Sequence, residues 1–483
     1  MSIILRIAVW GAGIWFLLFL WNHIIHPLAK FPGPRIASFT NLWKVYHIWR
    51  GDLEKVLLHR HEQHGDVVRV GPNHLDFNSS SAVTTILGSG RLFQKSAFYD
   101  AFNALRPNLF GTRDEDIHST RRRAVAKSFS AQAVSKMEKY MDECMVKFVA
   151  RLDRAAVHGE IIDIKLWISF FVMDVLGELA FARSFELLDA GPEGSMPPLK
   201  EHVLLATISG QVPWIIPHIN QIAALLPFGP LRKMMTGRKV LREPQRAVDC
   251  VNARRYDCSQ RPDLLGRLLG QLEAGHDSSG RCFDIVDVQT EAFGFIVAGS
   301  HTTAASTTLL LWHMLHHPET VRRVGEEIQS LTSVDGNAVY PFEALKRLKY
   351  LQAAISEGFR VNPVFIAPLM RVVPSHGHDI AGAFVPGGTE VSVCNHVVHH
   401  NGDIFGSDLH KFMPERWFDA EFSGAANLIT FGAGHRACIG RNIAMAEISK
   451  LIATLLSRYD IESVDKDRLE QDIETLELTL LLR

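Results

Sequence analysis

A cysteine inside a glycine-rich loop is the residue whose surroundings point most directly to chemistry. Cys438 lies in the stretch Phe431-Gly432-Ala433-Gly434-His435-Arg436-Ala437-Cys438-Ile439-Gly440, just before a helix that we predict to begin near Asn442. The positive end of that helix, and the backbone N–H groups of a loop with few side chains, favour a thiolate at this position. Phe431 is placed to cover the sulfur from water, and Arg436 offers a cation to a carboxylate. The alternative interpretation is a glycine-rich turn with an incidental buried cysteine.

Two further patterns lie on predicted helices. Glu357 and Arg360 are three residues apart, so they share a helical face and are able to form an ion pair. Gly294, Ala298 and Thr302 are four apart, and the first two leave one helical face almost without side chains. Each pattern also has a simple structural explanation. An isolated E-x-x-R pair is usually a surface ion pair, and a helical threonine usually bonds to a carbonyl of its own helix.

The loop around Cys438 resembles the heme-binding loop of the cytochrome P450 family, whose pattern is Phe-x-x-Gly-x-Arg-x-Cys-x-Gly. The resemblance covers essentially the whole chain. It implies the fold of that family, mostly α with small β sheets (α+β) in a single large heme domain. It also implies heme b (iron protoporphyrin IX) as cofactor, with Cys438 as the ligand of the iron and with Phe431, Arg436 and Gly440 in the binding loop.

The resemblance assigns roles to the two helical patterns. The family locks one Glu and two Arg into a buried network behind the heme loop, which implies that role for Glu357, Arg360 and Arg416. The stretch 298–303 is similar to the oxygen-activation turn Ala-Gly-x-Asp/Glu-Thr-Thr/Ser, so Ala298 is expected against the heme and Thr302 is expected to be catalytic.

The oxygen-activation turn departs from the family pattern at one position. His301 stands where the family has a carboxylate. A histidine exchanges protons in the neutral range, so we take His301 as a second catalytic candidate. The alternative is that proton supply is rerouted and that peroxide is released more readily.

A basic stretch supplies candidates for the heme propionates. His118 and Arg122 are four apart and are similar to the family motif Trp-x-x-x-Arg, often with His in first place, whose side chains reach the propionates. Arg371 sits where many members place another propionate-binding Arg. Three further basic residues of this stretch are expected to point outward: Arg121, Arg123 and Lys127. They form either a solvated basic face or a docking patch for an acidic redox partner.

Helical signals dominate the rest of the chain. Periodicity and length predict helices over 131–153, 161–181, 284–317, 342–360 and 442–459. Short strand signals occur over 67–77 and 369–393, each interrupted by Gly and Pro. These elements independently predict a mostly helical protein with small sheets at one side.

The N-terminus differs in kind from the rest. Residues 7–25 are almost uninterruptedly apolar, and as a helix they would reach about 28 Å, close to the thickness of a bilayer core. Lys30, Arg35 and Lys44 follow this run and only Arg6 precedes it, so the positive-inside rule puts the body on the cytoplasmic side. We therefore predict a transmembrane anchor at 1–26, a Pro/Gly-rich hinge at 27–35 and the heme domain at 36–483. A cleaved signal peptide is the alternative.

Composition limits the remaining possibilities. The 483 residues are 47% apolar and 21% charged, which is typical of a globular protein, and a formal net charge of −1 gives no support for binding nucleic acid. The six cysteines form no CxxC pair, a pattern that suits a reducing compartment. The resemblance to microsomal members of the cytochrome P450 family, together with the predicted anchor, implies a single-pass protein of the endoplasmic reticulum membrane.

The resemblance implies a heme-thiolate monooxygenase. It would activate O₂ and hydroxylate or otherwise oxidise a lipophilic small molecule, in the manner of a fungal member of a natural-product pathway. No FMN, FAD or NADPH module is recognisable in the sequence, so electrons are expected from a separate NADPH–cytochrome P450 reductase, with cytochrome b5 as a further donor. By analogy, substrate contacts come from 98–109, 203–228, Phe295 with Ala298, 364–369 and 476–480. The alternatives are a P450-fold isomerase or dehydratase without O₂ chemistry, and a non-catalytic heme-binding protein.

Overall fold

The computed structural model describes residues 20–88, 90–193, 199–218, 243–256, 261–275, 283–331, 339–464 and 478–482, together with positions 10, 13, 16, 17 and 196. The α-helices of these ranges are, in chain order, α1 Leu42–Arg50, α2 Leu53–His64, α3 Ser80–Val83, α4 Glu115–Ala126, α5 Ala131–His158, α6 Ile164–Phe181, α7 Leu187–Ala190, α8 Leu199–Gly210, α9 Glu243–Tyr256, α10 Gly266–Ala274, α11 Ile285–Leu315, α12 Pro318–Gln329, α13 Phe342–Leu345, α14 Lys349–Val361, α15 Asn395–His399, α16 Gly402–Phe405 and α17 Arg441–Arg458.

Ten short strands form three sheets among these residues. They are β1 Val67–Gly71, β2 His74–Phe77, β3 Gln94–Lys95, β4 Ile161–Asp163, β5 Arg371–Val372, β6 His378–Ile380, β7 Ala383–Val385, β8 Glu390–Val393, β9 Ile461–Ser463 and β10 Thr479–Leu482. The largest sheet has the order β1-β2-β8-β5-β3, the second β4-β10-β9, and the third pairs β6 with β7. In the largest sheet β3 runs antiparallel to β5, which sets Lys95 opposite Arg371.

The helix α11 is the central element of the helical core. Asp284 caps its first turn, where the Asp284 and Asp287 carboxylates each accept a hydrogen bond from the other residue's backbone N–H. Its 31 residues are apolar on most sides, and it packs against α6, α9, α14 and α17. A helix that is apolar nearly all round is stable only when neighbours cover it, so α11 runs through the interior.

The sequence-based expectation of a mostly helical protein with small sheets is confirmed. The helix predicted over 131–153 extends to His158, and the one predicted over 284–317 is α11. Two predictions were wrong in detail. Residues 161–163 form β4 because they pair with β10, and the segment 342–360 is two helices, since the backbone is extended at Leu348.

The predicted N-terminal anchor lies largely outside the described residues. Within the part of the chain that the structure describes, no helix is both long and apolar enough to cross a bilayer. The predicted hinge is packed against the body: the backbone N–H of Arg69 donates to the carbonyl oxygen of Pro32 at 2.7 Å. A Cβ at Gly33 would lie 2.2 Å from the carbonyl oxygen of Arg69, so only glycine fits there.

Candidate active site

The loop 431–440, called the heme loop below, is tightly folded. Gly432 and Gly434 have φ of +67° and +65°, a region that favours glycine, and a Cβ at Gly434 would lie 2.2 Å from the carbonyl oxygen of Leu87. The backbone N–H of Cys438 donates to the carbonyl oxygen of Phe431 at 2.7 Å. The sequence therefore needs its glycines to close the loop and to fix the cysteine just before α17.

Cys438 differs from the other cysteines that the structure describes, because it is exposed whereas Cys144, Cys250 and Cys394 are buried. Desolvation nevertheless raises the pKa of the Cys438 thiol, so its sulfur faces a recess within the protein rather than bulk water. The backbone N–H groups of Gly440 and Arg441 and the cation of Arg122 act in the opposite direction and lower this pKa. These are the groups that would hold a thiolate.

The middle of α11 opens toward an internal space. Ala298 and Thr302 are exposed, and Gly294 on the same face is partly exposed, although Phe295, Ile296 and Thr303 beside them are buried. This face is the one that the sequence predicted to be nearly free of side chains. A helix inside a core exposes such a stripe only where it borders a cavity, and a flat ligand fits against a stripe of small residues.

The two candidate catalytic residues, Thr302 and His301, lie in this middle part of α11, on the predicted oxygen-activation turn. The Thr302 hydroxyl donates to the carbonyl oxygen of Ala298 at 2.8 Å, which is the ordinary bond of a helical threonine, but its side chain remains exposed to the internal space. His301 is also exposed. The buried Ser300 hydroxyl has no hydrogen-bond partner. The turn therefore presents the Thr302 hydroxyl at the internal space, where it is a suitable group for proton transfer to a ligand.

Several basic side chains lie beside the heme loop, and two of them contact one acid, Glu115. The Arg436 guanidinium donates to Glu115 Oε1 at 2.7 Å, and His435 Nε2 lies 2.8 Å from Glu115 Oε2. His118 is buried next to them, and desolvation together with neighbouring cations lowers its pKa to about 2, so its imidazole is neutral. Arg122 Nη1 donates to the carbonyl oxygen of Ala437 at 2.8 Å, which ties α4 to the heme loop.

A buried lysine completes this group, and sequence reasoning missed it. The ammonium of Lys95 lies 3.9 Å from the ring centre of Tyr99 and 4.2 Å from that of Phe110. Its pKa is lowered because the side chain is desolvated and because Arg371 and Arg436 are close. Arg371 donates to the carbonyl oxygen of Met370 at 2.9 Å. The sequence offered no local signal for this lysine, because its position opposite Arg371 is set by the pairing of β3 with β5.

The charges of this cluster fit the expected cofactor. Lys95, Arg122, Arg371 and Arg436 are the basic side chains of this cluster, whereas Glu115 is an acid and accepts a hydrogen bond from Arg436. Placing like charges together costs free energy unless anions accompany them. The two propionates of heme b would supply those anions, and the exposed sulfur of Cys438 and the bare face of α11 would bound its ring.

The structure brings the three residues of the predicted Glu-Arg-Arg network together. Arg360 donates to Glu357 through Nε at 2.9 Å and Nη2 at 2.8 Å, and Arg416 Nε donates to Glu357 Oε1 at 3.1 Å. All three side chains are buried. The remaining guanidinium N–H groups donate to backbone carbonyl oxygens of His399, Phe405, Ser407, Asp408, Leu409 and Lys411. Nearly every polar atom is thus satisfied, as a buried charge requires.

One predicted orientation was wrong. Arg121 does not point outward: its guanidinium donates to Asp287 Oδ1 and to Glu291 Oε1, both at 2.9 Å, and its side chain is only 12% exposed. The helix α4 lies close enough to the start of α11 for this long side chain to reach two acids. Arg123 and Lys127 are exposed as expected.

Comparison with known proteins decides the family. The profile of the cytochrome P450 family matches residues 31–482. The chain belongs to the cytochrome P450 family. The sequence-based expectations of a P450 monooxygenase that binds heme b are thereby confirmed, although the match does not identify the ligand of the iron.

Relatives of this P450 come from fungi. It is 30% identical to cytochrome P450 monooxygenase cicH of Emericella nidulans, over 91% of this chain and 90% of the relative. It is 28% identical to pisatin demethylase of Fusarium vanettenii, over 92% of this chain and 87% of the relative. Cytochrome P450 monooxygenase mpaDE of Penicillium roqueforti is 29% identical over 91% of this chain, but the match spans only 53% of that longer protein.

Aromatic side chains of this P450 form a cluster where several of the predicted substrate-contact stretches meet. Phe98, Phe102 and Phe110 form edge-to-face or tilted contacts with 5.3–5.4 Å between ring centres, and Phe365 lies 6.3 Å from Phe110. Phe98 and Phe102 share an apolar cluster with Ala206 of α8. Three of the stretches that were predicted to contact substrate, 98–109, 203–228 and 364–369, therefore meet here. Residues 219–228 and 476–477 of the predicted set lie outside the described residues.

A buried acid on α17 is a second residue that sequence reasoning missed. Glu447 is buried, and desolvation raises its pKa to about 8, while a hydrogen bond with Thr303 acts in the other direction. Thr303 adjoins Thr302 on α11, so Glu447 joins the helix after Cys438 to the oxygen-activation turn. The signal was an acid between Ala446 and Ile448 in an otherwise apolar helical stretch, because such an acid is rarely buried without a specific partner.

Proposed function

We propose that this P450 uses Cys438 as the thiolate ligand of heme b and oxidises a hydrophobic small molecule in secondary metabolism, with hydroxylation as the simplest reaction. The observation that carries the proposal is the environment of Cys438. Its sulfur is exposed within a recess, two backbone N–H groups and Arg122 favour its anion, and cations that suit propionates surround the same loop. The names of the fungal relatives support the same class of reaction.

Each residue of the site would have a distinct task. Bound heme supplies the binding and reductive activation of O₂. Phe431 packs edge-to-face on Phe359, with 5.3 Å between ring centres, and limits the access of water to the sulfur. Thr302 and His301 would hold and transfer protons at the internal space. Thr302 is the better placed of the two, because its hydroxyl already lies on the bare face of α11.

The substrate class follows from the lining of the internal space. Phe110 and Phe365 are at least partly exposed beside the buried Phe98 and Phe102, and α11 carries the exposed Ala298. Such a pocket favours a lipophilic ligand with few polar groups. One relative is named a demethylase, so demethylation is included with hydroxylation among the reactions to be screened.

A separate NADPH–cytochrome P450 reductase is the proposed electron donor, with cytochrome b5 as a further donor. Arg123 and Lys127 are exposed on α4 near the heme loop and would contribute to a docking surface for an acidic partner. Charge reversal with Arg123→Glu should slow reductase-driven turnover more at low than at high ionic strength, because salt screens exposed charges. A loss that is the same at both ionic strengths would count against docking at this surface.

The proposed location is the endoplasmic reticulum membrane, with residues 1–26 as a single-pass anchor and the heme domain on the cytoplasmic side. The support is the apolar run at 7–25 and the basic residues that follow it. An apolar surface on the body adds to this support. Leu42, Tyr46 and Trp49 occupy one exposed face of α1, and Trp214 is exposed in the neighbouring segment Pro213–His218.

The carbon-monoxide spectrum of the reduced protein tests the thiolate assignment. The wild-type protein and Cys250→Ala, which removes a buried cysteine of α9, should give the ferrous band characteristic of thiolate ligation. Cys438→Ser should lose that band. A band typical of histidine ligation in the wild type, or an unchanged band in Cys438→Ser, would contradict the proposal. Consumption of NADPH and O₂ in step with product then separates a monooxygenase from an isomerase or dehydratase.

A further inference from the structure

Glu115 is the first residue of α4, but its carboxylate does not cap that helix. The cap is Asp114, whose Oδ1 accepts from the backbone N–H groups of Asp116 and Ile117, both at 2.9 Å. The Glu115 side chain turns inward instead and is only 9% exposed. An acid at the start of a helix is ordinarily explained by the helix dipole and stays in water, so the burial of this one has another cause.

The Glu115 carboxylate holds two neighbouring residues of the heme loop, 320 and 321 positions away in the chain. Oε1 accepts from Arg436 Nε at 3.2 Å and from Arg436 Nη2 at 2.7 Å, and Oε2 lies 2.8 Å from His435 Nε2. Thr112 adds a third anchor, because its carbonyl oxygen accepts from Arg436 Nη1 at 2.9 Å. The Arg436 guanidinium is thus fixed from two sides.

Arg436 keeps donors that these bonds do not use. A guanidinium carries five N–H groups, and the contacts with Glu115 and Thr112 occupy three of them. One N–H on each terminal nitrogen remains, and within the ranges that the structure describes Arg436 makes no other hydrogen bond. The side chain is only 3% exposed. Because a buried donor without an acceptor costs free energy, these two N–H groups indicate an acceptor that a ligand supplies.

The negative charge of Glu115 also acts on residues beyond its direct contacts. The pKa of Lys95 is lowered by burial and by the cations of Arg371 and Arg436, and Glu115 acts on this pKa in the opposite direction. Basic groups that are buried together need such a counter-charge. Glu115 therefore lowers the free energy of bringing these basic side chains together beside the heme loop.

We propose that Glu115 is a positioning residue for the heme: it fixes the Arg436 guanidinium so that the two remaining N–H groups meet a propionate, and it sets the charge beside the ring. A carboxylate matches a pair of guanidinium N–H groups in both shape and charge. Glu115 acts through Arg436 and is not itself a ligand of the heme. The inference rests on heme binding, as proposed above, but not on Cys438 as the ligand of the iron.

A fixed anion beside the heme affects its reduction. Ferrous heme carries one electron more than ferric heme, so a nearby negative charge disfavours reduction and lowers the potential. Glu115→Gln removes the charge with little change of shape and should raise the ferric/ferrous potential, measured by spectroelectrochemical titration. Glu115→Asp keeps the charge and should leave the potential closer to that of the wild type. A residue with a purely structural role would not separate these two variants.

Transfer of ferric heme to excess apomyoglobin, measured on the heme-loaded full-length protein, tests the positioning role. Glu115→Ala leaves Arg436 with its Thr112 bond alone and should lose heme about tenfold faster than the wild type, or more. Glu115→Gln keeps the size and one acceptor oxygen, so it should lose heme at an intermediate rate, and it carries the test if the alanine variant does not fold.

Asp116→Asn is the matched control. It removes an acid of the same helical turn whose side chain is 79% exposed, so it should change neither the rate of heme loss nor the potential. The proposal is overturned if Glu115→Gln and Glu115→Ala release heme as slowly as the wild type, or if Glu115→Gln has the wild-type potential. It is also overturned if Asp116→Asn shifts the potential as much as Glu115→Gln, because net charge alone would then explain the shift.

Both measurements are independent of turnover and of the residue that binds the iron. An error in the thiolate assignment would appear in the carbon-monoxide spectrum of the wild type, whereas an error in the role of Glu115 would appear only in the Glu115 variants. The two failures are therefore distinguishable.

Discussion

Two cysteines of this P450 have the same side chain but different surroundings, and the surroundings decide which of them is a candidate metal ligand. Cys438 and Cys394 both have a thiol whose pKa is raised by burial. Cys394 is enclosed in the core beside α15, and its thiol faces the carbonyl oxygen of Ile366. Cys438 has its sulfur open to a recess with a neighbouring cation. Only the second arrangement leaves the sulfur accessible to a metal, which is why one cysteine is a candidate ligand and the other a packing residue.

Thr302 provides the first prediction at this scale. Thr302→Ala should raise the share of NADPH electrons that end in hydrogen peroxide and should lower product formation about tenfold or more, because a proton-transfer group is lost. His301→Ala should change the peroxide share less. The measurement is peroxide and product per NADPH consumed.

The same helix offers a matched control for Thr302. Thr307 also donates its hydroxyl to a helical carbonyl four residues back, at 2.9 Å, but it is fully buried. Thr307→Ala should leave the peroxide share unchanged. If Thr302→Ala and His301→Ala both match the wild type, the role of the oxygen-activation turn in proton transfer is wrong.

Glu447 gives a prediction about pH. Its folded-state pKa of about 8 lies above the ordinary value of 4.5, so the folded protein holds a proton that the unfolded chain releases. The free energy of unfolding should therefore fall as pH rises from about 4.5 to about 8, by on the order of 1.4 kcal/mol for each unit of pKa difference. Glu447→Gln stays neutral and should lose this slope. If the free energy of unfolding depends on pH in the same way in both proteins, the raised pKa of Glu447 is wrong.

At the scale of elements, two Glu-x-x-Arg pairs show how packing decides the role of one motif. Glu319 and Arg322 on α12 have the same spacing as Glu357 and Arg360 on α14, and both pairs form ion pairs. The first pair is more than half exposed, whereas the second is completely buried. The three-residue spacing alone could not show which pair is exposed and which is buried. The surrounding carbonyl groups, which come from residues 399–411, distinguish the buried pair.

The buried pair should be needed to retain heme. Arg360→Ala removes two of the hydrogen bonds to the Glu357 carboxylate and the donor to three backbone carbonyl oxygens, at a cost of about 3–5 kcal/mol for a broken buried pair. We expect purified Arg360→Ala to contain little heme, measured as Soret absorbance per protein. Arg322→Ala is the matched control and should bind heme normally. A normal heme content in Arg360→Ala would show that the network does not support the heme loop.

At the scale of the whole molecule, the sequence predicted features that depend on short-range spacing, but it did not predict contacts between residues far apart in the chain. The glycine-rich heme loop, the bare face of α11 and the predominance of helices follow from short-range spacing. Lys95, Glu447 and the inward orientation of Arg121 depend on partners far along the chain, such as Asp287, which is 166 residues from Arg121. Which polar residue is buried is decided when elements pack, so no local rule predicts it.

An exposed apolar surface of the body is also built from segments that are distant in the sequence. On α1, Leu42, Tyr46 and Trp49 recur at helical spacing and are 61%, 50% and 68% exposed, and Trp214 is 75% exposed. The Asn41 side-chain amide donates to the carbonyl oxygen of Gln211 at 2.9 Å, which brings these two segments together. Clustered exposed aromatic and aliphatic side chains are typical of a surface that meets lipid or another apolar partner.

We expect this surface to enter the lipid when the full-length protein is anchored in a bilayer. Nitroxide labels at Leu42→Cys and Trp214→Cys, in lipid nanodiscs, should be more accessible to dissolved oxygen than to a water-soluble nickel reagent. A label at Val157→Cys, an exposed apolar position at the end of α5, should show the reverse. Oxygen concentrates in hydrocarbon and the nickel reagent stays in water, so the ratio reports depth. If the labels at 42 and 214 behave like the one at 157, this surface faces water and the lipid contact is limited to the N-terminal segment.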